Sequence, residues 1–283
     1  MACTAAKDCL PQGIDPEQCV FVMSFTKPQI LSRIIDTIKD FEKVVFLRFS
    51  RKGLVVKAIE SSDCVLVNLT VESLSLNYHS FRGIDDNTES GFEHPVPVDL
   101  DILASGLRNC RQADFATLFM SRESRNRLEI YWANAKTHTA GRCGVVVLNL
   151  PTEEVIIPNL EAPSVAMLQA HVFHVCVSEL SGCKGPELGI HLSTQGRLEL
   201  STRGAHMDMT LAHDNVTNAG QPGQPIMHVP MRWVEKIAVT SRIVQHLLVE
   251  IYLLPGKVVT FRYNIGSFGS LAFVVAASDD EDQ

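Results

Sequence analysis

The chain lacks the features that most directly mark secreted, membrane or zinc-binding proteins. None of its eight cysteines belongs to a Cys-x-x-Cys pair, so the clustered thiolates of structural zinc sites are missing. No stretch approaches the about 18 uncharged apolar residues of a membrane-spanning helix. The N-terminal segment has no apolar signal core. The sequence therefore predicts a reduced, intracellular protein without a membrane partner.

Positive charge is scarce as well. The chain has 25 Lys and Arg residues against 32 Asp and Glu, and its formal net charge is −7. An acidic average argues against a protein that coats DNA with its whole surface. It leaves open one basic face, because binding to nucleic acid depends on local clusters of charge.

Motifs for cofactors and catalysis are also missing. The chain has no phosphate-binding glycine loop, no dinucleotide fingerprint and no His-Glu-x-x-His helix. His171 and His174 form one local His-x-x-His pair that could share a metal on a helix. No cysteine or acidic triplet lies near them in the sequence, so two helix-surface histidines are the favoured interpretation. We predict no metal and no cofactor.

A polar stretch, Glu60-Ser61-Ser62-Asp63, interrupts two apolar runs and raises the question of an active site. A serine nucleophile needs a histidine base and a group that orients it, and no histidine is nearby. No Gly-x-Ser-x-Gly elbow surrounds either serine. Four polar residues between two strands instead predict a turn, in which side chains satisfy backbone N–H groups. The sequence therefore predicts a protein that is not an enzyme.

Apolar periodicity predicts many strands and few helices. Residues 115–121 and 127–133 flank a polar turn as in a hairpin, and residues 244–254 and 257–265 flank Pro255-Gly256. Four segments show helical spacing of apolar residues instead, namely 27–41, 98–112, 167–183 and 230–239.

The order of these elements repeats. Residues 47–58 and 190–201 can be aligned with Ser50 on Ser193 and Gly53 on Gly196, about half the chain apart. The predicted fold class is α+β, with two similar domains that arose by duplication. The predicted boundaries are a disordered extension at 1–18, domain 1 at 19–150, a connector at 151–164, domain 2 at 165–277 and an acidic tail at 278–283.

Residues 58–71 resemble a segment of the eukaryotic DNA sliding clamps. The matching residues are Ala58-Ile59-Glu60-Ser61-Ser62, followed by Leu66, Val67, Leu69 and Val71. Residues 29–41 are similar to the first clamp helix, residues 153–161 to the interdomain connecting loop, and the C-terminal strands to those of a clamp. The resemblance covers roughly residues 20–277 and is weaker in the second half.

This resemblance implies a ring in which helices line the hole, sheets form the outside and duplex DNA passes through. Contacts would be made to phosphates, without regard to base sequence. The alternative is that the basic helix residues are ordinary solvated side chains. The DNA-facing candidates are Lys27, Arg33, Lys39, Arg108, Arg111, Lys184, Arg232 and Lys236.

The resemblance also implies partners. These are other clamp subunits in a three-subunit ring, an ATP-driven clamp loader, and repair, checkpoint or polymerase proteins, all in the nucleus. Ring closure is expected through edge strands, one of them at 115–121. Partner proteins are expected at the connector, unless its apolar residues only anchor it to its own sheet. Those residues are Val155, Ile156, Ile157 and Pro158.

The type of clamp is less clear from the sequence. Residues 186–209 resemble subunits of the heterotrimeric checkpoint clamp, the nine-one-one complex, and about 17 residues precede the first predicted strand. Residues 58–71 favour a replicative homotrimer of the proliferating-cell-nuclear-antigen type. The checkpoint clamp is the preferred hypothesis. The replicative clamp, and a scaffold of clamp fold that never encircles DNA, are the alternatives.

Overall fold

The computed structural model divides the chain into two compact units. The first unit consists of Met1–Ala58, Asn68–Val155 and Ser267–Gly269, and the second of Ile59–Val67, Ile156–Gly266 and Ser270–Gln283. The structure describes residues 11, 14–62, 64–83, 93–152, 155, 164–193, 195–214, 217–220, 225–243, 246–254 and 256–278.

The first half of the chain forms two runs of hydrogen-bonded strands and a pair of helices. One run has the strand order β5-β1-β7-β8-β9 and the other β4-β3-β2-β6. Helix α1 packs against helix α2. The elements are β1 (Cys19–Phe25), α1 (Pro28–Ile38), β2 (Val44–Ser50), β3 (Gly53–Ile59), β4 (Val65–Glu72), β5 (Tyr78–Phe81), β6 (His94–Asp99), α2 (Leu100–Arg108), β7 (Phe115–Ser121), β8 (Arg127–Asn134) and β9 (Thr139–Val146).

The second half repeats this arrangement. Its strand orders are β14-β10-β16-β17-β18 and β13-β12-β11-β15, and α3 packs against α4. Since each run has its counterpart in the first half, the predicted α+β fold with two similar domains is confirmed. The elements are β10 (Ser164–Gln169), α3 (Ala170–Ser181), β11 (Glu187–Leu192), β12 (Leu198–Arg203), β13 (Asp208–His213), β14 (Thr217–Gly220), β15 (Met227–Pro230), α4 (Met231–Val239), β16 (Leu248–Leu254), β17 (Val258–Asn264) and β18 (Gly269–Ala276).

All four predicted helices are present, and their apolar stripes are buried. In α1, Leu31, Ile34, Ile35 and Ile38 are each at most 1% exposed. The spacing of these residues places them on one face of the helix, where burial of aliphatic side chains stabilises the packing by about 1.5–3 kcal/mol each. The opposite face of α1 is left for polar and charged side chains.

The aligned glycines lie at equivalent turns. Gly53 follows the β2–β3 turn with φ +135°, and a Cβ atom there would lie 1.9 Å from the carbonyl oxygen of Val71. Gly196 lies in the β11–β12 turn with φ +76°, and its N–H donates to the carbonyl of Ser193 at 2.9 Å. Both positions have backbone angles that residues with a side chain rarely adopt. The sequence alignment of the two halves therefore rests on a shared backbone requirement.

The expectation that residues 115–121 form an edge strand is wrong. These residues form β7, which pairs with β1 on one side and with β8 on the other. In the described part of the first half, β9 lies at the end of this run instead. The five central residues of β7 are buried, and the backbone groups on both of its edges are paired.

The residues directly before β1 are folded. Asp15 caps a short 3-10 helix at Pro16–Gln18 by accepting the N–H of Glu17 at 3.0 Å, and Glu17 forms an ion pair with Arg82 at 3.0 Å. Part of the predicted disordered segment 1–18 is therefore folded, while residues 1–10 and 12–13 lie outside the described residues. The folded part forms a strap, residues 14–18, that packs beside the first strand.

The strap covers a small apolar cluster of the first unit. Ile14 packs against Cys19, Val22 and Phe119, which are at most 2% exposed. The partly buried side chains of Tyr78 and Tyr131 pack against the same cluster. The cluster is separate from the stripe of α1. The strap therefore gives the first unit a second buried surface.

Removal of the strap is expected to destabilise the protein. A variant that lacks residues 1–15 loses the Ile14 contact, which for a half-buried isoleucine corresponds to about 1–2 kcal/mol of unfolding free energy. The thiol of Cys19 should also react faster, because it loses its cover. Urea unfolding and mass-spectrometric thiol labelling measure the two effects. A variant that lacks only residues 1–10 retains Ile14 and serves as the control. Equal stability of the two variants would contradict a packing role for the strap.

Candidate nucleic-acid interface

The helix pair α1/α2 presents predicted basic residues on its exposed side. Lys27 directly precedes α1, and Arg33 lies on the face opposite the buried stripe; both are exposed. Arg108 is at the end of α2 and Arg111 follows it, and both are also exposed. The packing of the apolar stripe therefore puts these cations at the surface of the first unit.

The carboxylate of Asp36 contacts three of the predicted DNA-facing cations. Asp36 Oδ1 lies 3.9 Å from Lys39 Nζ and 3.5 Å from Arg108 Nη2. The other oxygen, Oδ2, accepts a hydrogen bond from Arg111 Nη2. The structure thus brings Lys39, Arg108 and Arg111 together, as the hypothesis of a basic face requires. It brings them together around an acid.

Further contacts fix this cluster. Lys39 Nζ lies 3.3 Å from Asp101 Oδ1, and Arg111 Nε donates to Ser32 Oγ at 3.0 Å. Asp101 lies in the first turn of α2, where a negative charge is favourable near the helix N-terminus. The α1/α2 surface is therefore a mixed-charge surface in which cations and carboxylates alternate.

The second unit arranges its basic residues differently. Lys184 and Arg232 line one open groove of about 620 Å³, together with Glu187 and Glu235. The guanidinium of Arg232 lies 4.8 Å from the ring centroid of Trp233. The ammonium of Lys236 lies 4.6 Å from the same centroid. Such cation–π contacts contribute about 0.5–1 kcal/mol at exposed sites, so the indole contacts two predicted DNA-facing cations, one in the first turn of α4 and one in the last.

His174 is not available as a metal ligand through its Nε2 atom. That atom accepts a hydrogen bond from Arg242 Nε at 3.4 Å. Burial and the charge of Arg242 both lower the pKa of His174 below its ordinary value. The imidazole is therefore neutral near pH 7, and Arg242 adds a cation beside α3 that the sequence pattern did not single out. Among the described residues, no group of three or more His, Cys, Asp or Glu side chains could hold a metal ion.

The polar stretch after β3 is a turn held by its own glutamate. Glu60 N–H donates to the carbonyl of Val65 at 2.9 Å. The Glu60 carboxylate accepts hydrogen bonds from Ser61 Oγ at 2.9 Å, from Ser62 N–H at 2.9 Å and from Ser62 Oγ. Both serine hydroxyls thus donate to a carboxylate whose pKa these hydrogen bonds lower, and such a weak base is poorly suited to activate a serine nucleophile. Asp63 lies outside the described residues.

Comparison with known proteins places this fold. The model of the proliferating cell nuclear antigen N-terminal domain family matches residues 20–147. The crystal structure of proliferating cellular nuclear antigen from Entamoeba histolytica superposes with a TM-score of 0.80 at 14% sequence identity, over 92% of this chain and 100% of that chain. No curated protein matches the chain.

Residues 20–147 match a sliding-clamp domain family, and the chain as a whole has the sliding-clamp fold. Its two units have the clamp fold, and the resemblance drawn from residues 58–71 is confirmed. Sliding clamps are non-enzymatic scaffolds that act at DNA, which agrees with the turn at Glu60. None of the described helices is long and apolar enough to cross a bilayer.

Several residues of this clamp's helix surfaces could not be selected from the sequence. The pair Asp36 and Lys39 has the i, i+3 spacing of a helix ion pair and could have been found. The contacts of Asp36 with Arg108 and Arg111 join residues more than 70 positions apart and follow only from the packing of α1 on α2. The contacts of Trp233 with Arg232 and Lys236 have no signal in the sequence, because an aromatic residue on a helix is usually part of the core.

The connector is described only in part. Val155 is half-buried, and its carbonyl accepts a hydrogen bond from Lys57 Nζ at 3.1 Å. Ile156, Ile157 and Pro158 lie outside the described residues. The hydrogen bond anchors one end of the connector within its own unit, and a partner-binding role of the four residues stays a prediction.

The Glu60 turn makes stability dependent on pH. Burial acts to raise the pKa of Glu60, but the hydrogen bonds from Ser62 and Ser61 and the charge of Arg232 outweigh it and hold that pKa below its ordinary value of 4.5. The charged form is therefore favoured in the folded state. Its stabilisation is present above pH 4.5 and is lost as the pH falls through the lower, folded-state pKa.

Glu60→Gln is therefore expected to lower the unfolding free energy at pH 7 by about 1–2 kcal/mol, because the charge-assisted hydrogen bonds are lost. The difference from the unmodified protein should shrink at an acid pH below the folded-state pKa, where the wild-type carboxyl is also neutral. Urea unfolding at the two pH values measures this. Glu72→Gln removes an exposed carboxylate at the end of β4 and serves as the control. A Glu60→Gln effect of equal size at both pH values would contradict the electrostatic account.

Proposed function

We propose that this clamp is one subunit of a three-subunit ring that closes around duplex DNA. The observation that carries the proposal is the duplicated helix pair, α1/α2 and α3/α4, each with basic side chains on its exposed surface. In a sliding clamp these pairs line the hole. The proposed DNA-facing residues are Lys27, Arg33, Lys39, Arg108, Arg111, Lys184, Arg232 and Lys236.

The contacts would be to phosphates and not to base edges. Lysine and arginine side chains at a helix surface reach phosphate oxygens in any sequence, which a protein that slides along DNA requires. The acidic outer surface implied by the net charge of −7 does not interfere, because repulsion outside the ring is screened over about 8–10 Å at physiological salt.

Ring closure is proposed through β9 of one subunit and β13 of the next. In the described residues, β9 pairs only with β8 and β13 only with β12, so each leaves one edge open. An open edge presents unpaired N–H and C=O groups that a second strand can satisfy. β9 has eight residues and β13 has six, long enough for a continuous ladder between subunits.

For the composition of the ring, we favour the heterotrimeric checkpoint clamp, which acts in signalling of DNA damage and in repair. Residues 186–209 support this, since they resemble subunits of that complex. A replicative homotrimer, which serves polymerases as a processivity factor, is the second candidate. The match of residues 20–147 to the proliferating cell nuclear antigen domain favours it.

Either ring needs the same kinds of partner. An ATP-driven loader would open the ring, and repair, checkpoint or polymerase proteins would bind at the connector, with Val155, Ile156, Ile157 and Pro158 as the apolar contacts. Both roles place the protein in the nucleus. A clamp-fold scaffold that does not encircle DNA would share the connector contacts but not the retention on DNA.

Light scattering during size-exclusion chromatography tests the ring. A particle of about three times 31.3 kDa from the pure chain is the expected result for a homotrimer. A monomer that reaches a similar mass only with two different clamp subunits is the expected result for the checkpoint ring. A chain that stays monomeric under both conditions contradicts ring formation.

Proline variants of β13 locate the interface within the same measurement. Successive residues of a strand point their N–H groups to opposite sides, so one of Thr210→Pro and Leu211→Pro removes an N–H from the β12 ladder and the other removes one from the open edge. The edge variant should keep its unfolding temperature and lose the ring. Rings formed by both variants would place the interface elsewhere.

Replacement of four cations tests the DNA-facing surface. Arg33, Arg108, Arg232 and Lys236 changed together to Ala should weaken retention on circular DNA and reduce the salt slope of binding by up to about 4 units, since each phosphate contact contributes roughly 0.9. Fold and ring mass should stay unchanged. Retention equal to that of the unmodified ring contradicts the basic lining. Loss from linear DNA but not from circular DNA distinguishes a ring from a scaffold that binds DNA at its surface.

A further inference from the structure

We propose that Asp36 is an internal competitor for phosphate that limits the affinity of this clamp for DNA. The inference rests on the proposed function and names a residue that regulates it. Asp36 engages three of the eight proposed DNA-facing cations, Lys39, Arg108 and Arg111.

The geometry puts the competition at the surface. The Asp36 side chain is 25% exposed, and those of Arg108 and Arg111 are 50% and 39% exposed. A phosphate can therefore reach both guanidinium groups from the solvent side. Because the guanidiniums are partly exposed, breaking an ion pair with Asp36 costs little, within the 0.2–1 kcal/mol range of such pairs.

Each arginine that turns from Asp36 to a phosphate exchanges one anion for another. In an ordinary basic patch, the cations are paired with solvent anions that leave when DNA binds. The Asp36 carboxylate is part of the protein and therefore stays near the DNA. Its negative charge then repels the phosphates within a Debye length of about 8–10 Å. The α1/α2 cluster therefore attracts DNA less strongly than its number of cations implies.

The exchange also alters the salt dependence. In an ordinary basic patch, every phosphate contact releases counterions and contributes roughly 0.9 to the slope of log K against log salt. Lysine and arginine side chains that are already paired with Asp36 contribute less to this slope. Part of their charge is neutralised within the protein before DNA binds. A weak and shallow interaction suits a ring that must be retained by topology and still slide.

A different role for Asp36 would have the opposite effect. If the carboxylate held Arg108 and Arg111 in the orientation that phosphates need, removal of its charge would weaken binding. The sign of the change therefore distinguishes competition from positioning.

The decisive experiment compares Asp36→Asn with the unmodified chain in the assembled ring. Equilibrium binding to a fluorescein-labelled linear duplex of about 30 base pairs is followed by anisotropy from about 50 to 200 mM salt, the range over which such contacts respond strongly. Asp36→Asn should bind about twofold to fivefold more tightly near 0.1 M salt, the range set by exposed ion pairs. Its salt slope should be steeper by about 1–3 units, since up to three cations are released.

Two matched variants control this result. Glu123→Gln removes one negative charge from the exposed β7–β8 turn of the same unit and should leave affinity and slope unchanged. Asp101→Asn releases only Lys39 from one of its two partners and should steepen the slope by at most about 0.9. Circular dichroism and the unfolding temperature show whether each variant is folded. If Asp36→Asn does not fold, the Asp101→Asn slope decides in its place.

The outcomes separate the inference from the proposed function. Tighter and steeper binding by Asp36→Asn, with Glu123→Gln unchanged, supports the inference. Unchanged or weaker binding by Asp36→Asn overturns it, and so does an equal gain in both variants, which would be an effect of net charge. If neither the wild-type ring nor any variant binds the duplex at low salt, the proposed function fails, and the inference fails with it.

Discussion

The burial of one face of each helix pair is the constraint on which the charged surface depends. Ile34, Ile35 and Ile38 of α1 are at most 1% exposed, so the helix cannot rotate about its axis without exposing them. Leu103 and Leu107 fix α2 in the same way. Burial of these side chains is worth several kcal/mol, more than any surface ion pair. The apolar packing therefore decides which charges face outward, and the ion pairs form within that arrangement.

Within this constraint the two helix pairs hold their cations by different means. Around α1 and α2, a carboxylate pairs with ammonium and guanidinium groups, so that the charge is partly cancelled. Around α4, the indole of Trp233 holds Arg232 and Lys236 through its π face. An aromatic ring orients a cation without neutralising it. The two helix pairs therefore differ in the groups that contact their cations, although both follow one repeated pattern of elements.

The sequence predicted the elements well where one physical signal dominated. Apolar periodicity located all four helices, and the glycines at 53 and 196 located the repeated turn, because each of these features is local. The prediction that residues 115–121 form an edge strand was wrong. Alternation and apolar content identify a strand but do not show which strands lie beside it. The Asp36 cluster could not be predicted from the sequence for a similar reason, since Arg108 and Arg111 reach Asp36 only when α2 packs on α1. Pairing between distant segments is a property of the folded chain.

The open edges of β9 and β13 differ from the edges of β6 and β15, which are closed. In β6, Pro95 and Pro97 remove two N–H donors, and the Pro97 carbonyl accepts the N–H of Leu148 at 2.9 Å. In β15, the counterpart of β6, Ser278 N–H donates to the carbonyl of His228 at 2.8 Å, and Ser278 Oγ donates to Glu187 Oε1 at 2.5 Å. The same problem is thus solved by proline in one unit and by an added residue in the other. An edge strand that has no pairing partner usually carries protection of this kind, because its free N–H and C=O groups can otherwise pair with another chain. The eight residues of β9 and the six of β13 have no such protection among the described residues, and this is why we propose them as the surfaces that pair between subunits.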